Sequence, residues 1–453
     1  MSDARDKYPI LNQIDSPADL RALDEKQLLP LSKNQKIAMI GVFAQTPRFQ
    51  GGGSSHINPS QVESAMEAAK QMDNIVYEPG MAPDGETTDV ALLNRAVRAA
   101  KEAEAAVLFM GLPDSFESEG YDRKHLDLPA CQNQLIEAVA AVQPNTVVVL
   151  HNGSPVTMPW INNVAAVLEM YLGGQAVGAA ALDVLFGDVN PSGKLAETFP
   201  HRLEDTPAYL NFPGNGETVR CAEGVYIGYR WYDSRDIGVL FPFGFGLSYT
   251  QFKLSNVRLS SNTFSEGILK VTATVENTGG VFGKEVVQLY VAPPENAKMA
   301  RPAHELKGFA KIGLAPGEAR DVVFYLDERS FAYYETRLQD WYMEAGSYQI
   351  QIGTSSRDLP LVKSVDVASP PLPFAYQDHT TIGDLTEGNN LAPIRPYMKK
   401  LAQVLGGTDA VNDEMLTAML SSMPVHSMPS FLKMTKDEVE EIKAKMLEIK
   451  IQQ

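Results

Sequence analysis

Three acids and an arginine stand close together in one short stretch: Glu117, Glu119, Asp122 and Arg123, with Gly120 among them. A carboxyl group on a loop can give or take a proton when a reacting atom sits within hydrogen-bond reach. In a chain with a formal net charge of -17, the ordinary expectation for any one of these acids is a solvated surface position. A second cluster, Gly51-Gly52-Gly53-Ser54-Ser55, joins glycines that permit tight turns to hydroxyls that can bond a polar ligand. It lacks the pattern of a phosphate cradle, because neither G-x-G-x-x-G nor G-x-x-x-x-G-K-[ST] occurs. His56, His125 and His151 match no metal-ligand spacing, and Cys131 and Cys221 make neither a disulfide framework nor a zinc site. No G-x-S-x-G nucleophile elbow is present. No metal and no cofactor is therefore expected.

Both clusters follow short apolar runs. Lys36–Phe43, Ala105–Leu112, Thr146–Gly153 and Ala166–Gly173 read as buried parallel strands, with Asn74–Tyr77 a weaker fifth. Helical patterns lie between them. Asn58-Pro59-Ser60-Gln61 has the form of a helix start, with Val62, Met66 and Ala69 on one face behind it. Leu135, Val139 and Val142 share a face after Pro129. Strands alternating with helices imply an α/β sheet covered on both faces. Glu119 would then sit beyond the C-terminal end of the strand 105–112, the edge where open α/β sheets bind ligands.

Residues 201–250 break the rhythm and are rich in Gly, Pro, Tyr and Phe. Beyond them the period becomes two. Val271, Ala273 and Val275 alternate with Thr272 and Thr274, and Val287, Leu289 and Val291 with Gln288 and Tyr290. Val322, Phe324 and Leu326 form a third set, and Tyr348, Ile350 and Ile352 a fourth. With turn signals at Asn277–Gly280 and Ala315–Glu318, this is an all-β sandwich of about a hundred residues, of the immunoglobulin or fibronectin type III kind. Ala368–Phe374 is a proline-rich linker. The tail ends in a helix, with Thr435 and Glu438 as a capping box and Val439, Ile442, Met446 and Ile449 on one face. The division expected is an extension at 1–35, an α/β sandwich at 36–215, a connection at 216–250, a β-sandwich at 251–368 and a linker with helical tail at 369–453.

The 453 residues suffice for about two to four domains of ordinary soluble composition. The acidic balance argues against nucleic acid or an anionic membrane as partner. The N-terminus lacks a basic segment followed by an apolar run, so a cytoplasmic location is the expectation.

Several segments, in order, resemble the C-terminal half of family 3 glycoside hydrolases. They are KIAMIGVFA and GGGSSHINP at 36–59, ESEGYDRKHLDLP at 117–129 and VVVLHNGSPVTMPW at 147–160. YLGGQAVGAAALDVLFGDVNPSGKLAETFP, GVYIGYRWYD and FPFGFGLSY follow at 171–249. The β region adds VENTGGVFGKEVVQLYV, ELKGFAKIGLAPGE and GSYQIQIG, and the tail TIGDL and DEMLTAMLSSMPV. Together they cover roughly 28–453. The resemblance implies a β-glucosidase-type enzyme that cleaves β-glucosides or related oligosaccharides with retention. In that family a (β/α)₈ barrel carries an aspartate nucleophile and the α/β sandwich carries a glutamate acid/base. Retention needs the two carboxyl groups about 5–5.5 Å apart.

The family's acid/base lies four residues before the arginine of a motif like GEGYDR, which is Glu119 here; Glu117 is the nearby competitor. Ser54 and Ser55 fall on the family loop that reaches toward the sugar. Asp122 and Arg123 either meet sugar or shape the loop through an ion pair. The barrel needs about 250 residues, and only positions 1–35 precede the sandwich. The expectation is that the nucleophile comes from a separate barrel chain, with a homo-oligomer as another possible partner, and that the surface facing the barrel is left apolar and exposed. The alternative is a non-catalytic carbohydrate-binding module, an inactive fragment or a chimera. Residues 6–31 resemble the opening of 1-deoxy-D-xylulose-5-phosphate synthase, but no thiamine-binding motif accompanies them. Gln339-Asp340-Trp341 is similar to the family's nucleophile motif, yet its place in the β region implies a structural role.

Overall fold

The computed structural model describes residues 28–372 except 337, and in the tail 377, 379–387, 397, 421–432 and 434–447. The segment likened to a thiamine enzyme lies outside the described residues except for its last four. The chain divides into one compact unit up to Ala368 and a second from Ser369.

The first unit begins with an α/β layer. Its elements are β1 (Ile37–Ile40), α1 (Ala65–Ala68), β2 (Ile75–Glu78), α2 (Val90–Glu102), β3 (Ala105–Gly111), α3 (Ala130–Ala140), β4 (Thr146–His151), β5 (Ala166–Glu169) and α4 (Val177–Leu185). The five strands are parallel, in the order β2-β1-β3-β4-β5. Every residue of β3 and β4 is buried, as a sheet covered on both faces requires. Ala38, Ile40, Leu108, Met110, Val148 and Leu150 pack on one face against Ala96, Ala100, Leu135 and Val139. Ile37, Met39, Val107, Phe109, Val147 and Val149 pack on the other against Ala65, Ala181 and Leu185. The strand order reverses between β1 and β3, which opens a crevice at their C-terminal ends.

Three local expectations need correction. β1 stops at Ile40, and Val42–Ala44 turn into a 3₁₀ helix. The next helix starts at Ala65 rather than after Asn58. Ser64 and Glu67 make the complete capping box, and Glu63 N bonds Gln175 O (2.8 Å), tying the chain to the α4 side before the turn begins. Val62 therefore precedes the helix. Val142 lies past the end of α3 and is 37% exposed, while Leu135 and Val139 are fully buried.

A short pair, β6 (Phe199–Pro200) and β7 (Val239–Phe241), and helix α5 (Tyr229–Ser234) organise the connection. Between them Tyr209, Leu210, Phe212, Val219, Val225 and Ile227 are exposed. The β-sandwich follows. One sheet holds β8 (Phe252–Leu259), β10 (Leu269–Asn277) and β13 (Ala319–Leu326) in the order β13-β10-β8. The other holds β9 (Thr263–Phe264), β11 (Gly283–Ala292), β12 (Glu305–Leu314), β16 (Gly346–Gly353) and β17 (Leu361–Val367) in the order β12-β11-β16-β17-β9. The hairpin β14 (Ala332–Glu335) and β15 (Asp340–Met343) stands beside them. All four alternating apolar sets fill the core between the sheets.

On β11, however, Gln288 and Tyr290 are buried as well as their neighbours. The outer face of this strand packs against the connecting segment. Gln288 donates to Gly244 O (3.1 Å) and Thr354 O, and Tyr229 meets Tyr290 edge-on at 5.8 Å. Lys194 pairs with Glu285 at 2.8 Å across the same boundary. The two layers thus form one body.

In the second unit, helix α6 (Ile382–Glu387), α7 (Met428–Leu432) and α8 (Lys436–Leu447) are described. Thr435 and Glu438 cap α8 reciprocally. The expected face of α8 through Ile442, Met446 and Ile449 lies outside the described side chains, as do Pro373 and Phe374 of the linker. Among the described residues, no helix is long and apolar enough to cross a membrane.

Candidate active site

Loops from β1 (41–58), β3 (112–129) and β4 (152–160) meet over the crevice. Glu117 is their common point. Its Oε2 accepts from Arg48 Nη1 (2.8 Å) in the β1 loop and from Gly153 N (2.7 Å) in the β4 loop. Its Oε1 accepts from the Ser154 hydroxyl, and its backbone carbonyl from Arg48 Nη2 (2.8 Å). Arg48 Nη1 also donates to Leu112 O at 2.7 Å. Arg48 is 7% exposed, so this is an ion pair largely removed from water. Breaking one partner of such a pair costs about 3–5 kcal/mol, because the other charge stays buried. Arg123 reaches the same knot from the side, donating to Ser154 Oγ (2.7 Å) and Pro155 O (3.0 Å) and lying 4.0 Å from Glu117. Its partners point inward and do not include Asp122, so the expected Asp122–Arg123 ion pair is absent among the described residues; Asp122 is exposed.

Glu119, two residues on, faces the other way. It is exposed and accepts a 2.5 Å hydrogen bond from Ser54 N at the tip of the glycine cluster. Hydrogen bonds from the Ser54 side chain and backbone hold its carboxyl below the usual range. The approach is close enough to explain the glycine at 53. A Cβ there would stand 2.3 Å from Glu119 Cβ, and the backbone is left-handed (φ 87°). Gly153 plays the same part against Glu117, where an added Cβ would meet Oε2 at 2.9 Å. The Ser55 hydroxyl bonds back to Gly52 O within its own loop (3.4 Å), so of the two serines it is Ser54 that meets the acidic loop.

Beneath the knot lies a group of acids that sequence reasoning passed over. Glu169, at the end of β5, accepts from Tyr171 N (2.9 Å) and Asn152 Nδ2 (3.3 Å). Burial pushes its carboxyl up to about 8, and burial likewise pushes Glu197 up to about 7. The Tyr171 hydroxyl stands close enough to Glu197 to favour its ionised form, yet meets no acceptor at full hydrogen-bond geometry. Tyr171 also holds a left-handed backbone (φ 46°), which a non-glycine residue adopts at a cost of roughly 1–3 kcal/mol. The one sequence signal was Glu169 itself, a charge inside the apolar run AVLEMYLG.

The histidines do not converge. His56 is exposed, and His125 Nδ1 accepts from Asp127 N (3.2 Å). His151 is buried between Phe43 and Phe109, and burial lowers its pKa to about 4. Among the described residues no group of acids, histidines and cysteines could hold a metal ion. Asp340 and Trp341 lie on the hairpin of the β region, where Trp341 packs edge-on to Tyr334.

This architecture has a counterpart among known sequences. A family model described as the glycosyl hydrolase family 3 C-terminal domain matches residues 23–249, and one for a fibronectin type III-like domain matches 285–356. The chain belongs to glycosyl hydrolase family 3. Thermostable beta-glucosidase B of Acetivibrio thermocellus is 46% identical over 415 residues, 90% of this chain and 55% of that protein. An exo-alpha-(1->6)-L-arabinopyranosidase of Bifidobacterium longum is 42% identical over 405 residues, 89% of this chain and 53% of that one. The crystal structure of a GH3 beta-glucosidase from Bifidobacterium adolescentis matches with a TM-score of 0.76 at 42% identity, over 84% of this chain and 58% of that one. The chain thus spans about half the length of the family 3 relatives it matches. The family match reaches back to residue 23, so it takes in the last part of the stretch 6–31, including Leu28-Leu29-Pro30-Leu31.

Proposed function

We propose that this chain is the acid–base half of a family 3 glycosidase. Glu119 gives a proton to the leaving oxygen of a β-glucoside or related oligosaccharide. An aspartate on a barrel outside these residues, on a longer chain or a separate one, attacks the anomeric carbon. The observation that carries this reading is an exposed carboxyl group at the sheet's switch point, oriented by the Ser54 amide. Glu117 suits the role less well, because both its carboxyl oxygens are engaged by Arg48, Gly153 and Ser154 within the loops.

As it stands, Glu119 is ionised at neutral pH, whereas a general acid must hold a proton. Covering the loop with a barrel would remove water and add a second carboxylate, and both raise a carboxyl pKa. Ser54, Ser55 and Asp122 line the rim where sugar hydroxyls would bond; Arg123 serves behind it. The exposed Tyr209, Leu210, Phe212, Val219, Val225 and Ile227 support an apolar contact with the barrel, or with a second copy of the chain. A cytoplasmic location is part of this reading, supported by the free thiols of Cys131 and exposed Cys221.

The test is hydrolysis of aryl β-glycosides by the purified chain, alone and mixed with the barrel portion of the Acetivibrio thermocellus relative. Activity is expected only in the mixture and is lost in Glu119→Gln. It returns in part with a dinitrophenyl leaving group, which needs no proton. Equal activity in parent and Glu119→Gln would remove Glu119 from the mechanism. Sugar binding with no activity in any mixture would leave the non-catalytic reading.

A further inference from the structure

The two glutamates of the β3 loop differ in what they hold. Glu119 touches one loop, through the amide and side chain of Ser54. Glu117 ties three loops together through a guanidinium, an amide and a hydroxyl, with side-chain exposure of 17%. The positions of these partners are set by elements far apart in the chain, since Arg48 follows β1 and Gly153 and Ser154 follow β4. Arg123 closes the ring by sharing Ser154 with Glu117. Gly52 and Gly53 then press against Ser118 and Glu119, with no room for a Cβ at either.

We propose that Glu117 is the positioning residue of this site: it locks the β1, β3 and β4 loops into one body, and through that body sets the Glu119 carboxylate against the Ser54 amide. The inference rests on the reading of Glu119 as proton donor for its functional meaning. Its physical content is a coupling between Glu117 and a contact it does not make. The backbone between Glu117 and Glu119 spans only Ser118, and the backbone between Arg48 and Ser54 only five residues. Both ends of the Ser54–Glu119 contact are thus anchored at the Arg48–Glu117 pair. Without that anchor the β1 loop keeps its ties to Gly174 (2.9 Å from Phe49 O) and across Gln50 and Ile57, and Arg48 keeps Leu112 O and Asp114, but the loss of Glu117 removes the bonds nearest the Ser54–Glu119 contact. With the anchor, Glu119 is presented in one orientation before any sugar arrives, which is what a proton donor requires of its support.

The coupling is read directly by NMR on the full chain labelled with nitrogen-15 serine and glycine. In the parent, the Ser54 amide proton moves downfield as Glu119 ionises; the assignment follows from the loss of that titration in Glu119→Gln. The Gly153 amide reports Glu117 itself. In Glu117→Gln, the Gly153 signal shifts, the Ser54 titration loses at least half its amplitude, and the Glu119 midpoint moves up toward the ordinary carboxylate range. Glu117→Asp keeps the charge and recovers part of the Ser54 amplitude. If Gly153 shifts while the Ser54 titration and the Glu119 midpoint stay as in the parent, Glu117 is a local strut and the proposal fails. Should Glu117→Gln not fold, Arg48→Lys, which keeps the charge but loses the forked contact, takes its place with the same expected and opposing results. These outcomes are independent of activity: loss of the coupling overturns the positioning role, whereas an unaltered rate in Glu119→Gln overturns the catalytic reading and leaves the coupling standing.

Discussion

The crevice at the edge of the parallel sheet and the core of the β-sandwich are built on opposite principles. The sandwich interior is apolar and alternates with period two, from Val271 through Phe324 to Ile352. The crevice holds Arg48, Arg123, Glu117, Glu169 and Glu197 at low exposure. Among the described residues, most buried side-chain atoms without a hydrogen-bond partner gather at or near it: Arg123 Nη2, both His151 nitrogens, Asn152 Oδ1, the Tyr171 hydroxyl and Thr198 Oγ1, with Arg48 Nε held only by an ion pair to Asp114 at 3.3 Å. Buried polar groups left unmatched cost free energy that well-packed aliphatic chains do not. One region is arranged to hold the fold, and the other spends part of that stability to hold charges in fixed places.

The largest effect is expected where the contrast predicts pure packing. Ile350 is fully buried between the sheets. Ile350→Ala removes its contacts and leaves a cavity, a loss of about 2–5 kcal/mol. Denaturant unfolding of the chain measures it, and the loss should be the same at pH 5 and pH 8. A pH-dependent loss would mean that the sandwich and the crevice are not separate in kind.

A smaller and pH-dependent effect is expected at Glu169. Burial raises its carboxyl to about 8 in the folded chain, against about 4.3 when unfolded. Below about pH 4 both states hold the proton and the site costs nothing. As pH rises, the unfolded chain ionises freely while the folded chain resists, so stability is lost up to about pH 8. Glu169→Gln removes this penalty. Its stability relative to the parent should improve by roughly 2–4 kcal/mol between pH 5 and pH 8. His151, lowered to about 4, titrates with the opposite sign and is present in both proteins, so it drops out of the difference. Parallel curves for the two proteins would show that Glu169 ionises in the fold as easily as in the chain.

The same contrast explains what could be read before the structure was known. β3 and β4 were legible because strands buried on both faces write continuous apolar runs, and the inner face of the sandwich because period two survives in the side-chain types. Gln288 and Tyr290 misled because their types face water in a lone sandwich, and only Gly244 and Tyr229 from another segment bury them. The helix expected after Asn58 moved to Ser64 because two capping signatures lie six residues apart, and the tie to Gln175 chose between them. At the site, Glu119 and Ser54 were named in advance through a family motif, and the structure brings them together. Arg48 carried no local signal at all. Its burial exists only because loops from β1, β3 and β4 converge, and such long-range closure leaves no periodicity in the chain.

The smallest effect should fall on Glu119 itself. Its side chain is exposed, and its hydrogen bonds run to Ser54 at a loop tip. A glutamine there keeps an oxygen that can accept from Ser54 N. Solvent on the open side can satisfy the new amide. Glu119→Gln should therefore lower the denaturant midpoint only slightly at neutral pH, by the small preference that Ser54 gives the carboxylate, although it removes the group on which the proposed reaction depends. The separation has a physical reason. The cost of a fixed charge is carried one layer below, by Glu117 and the two arginines, so the reacting group can stay wet and add little to stability until a second surface covers it. A clear fall in stability for Glu119→Gln would place Glu119 inside the structural knot with Glu117, and the distinction between a buried anchor and an exposed donor would collapse.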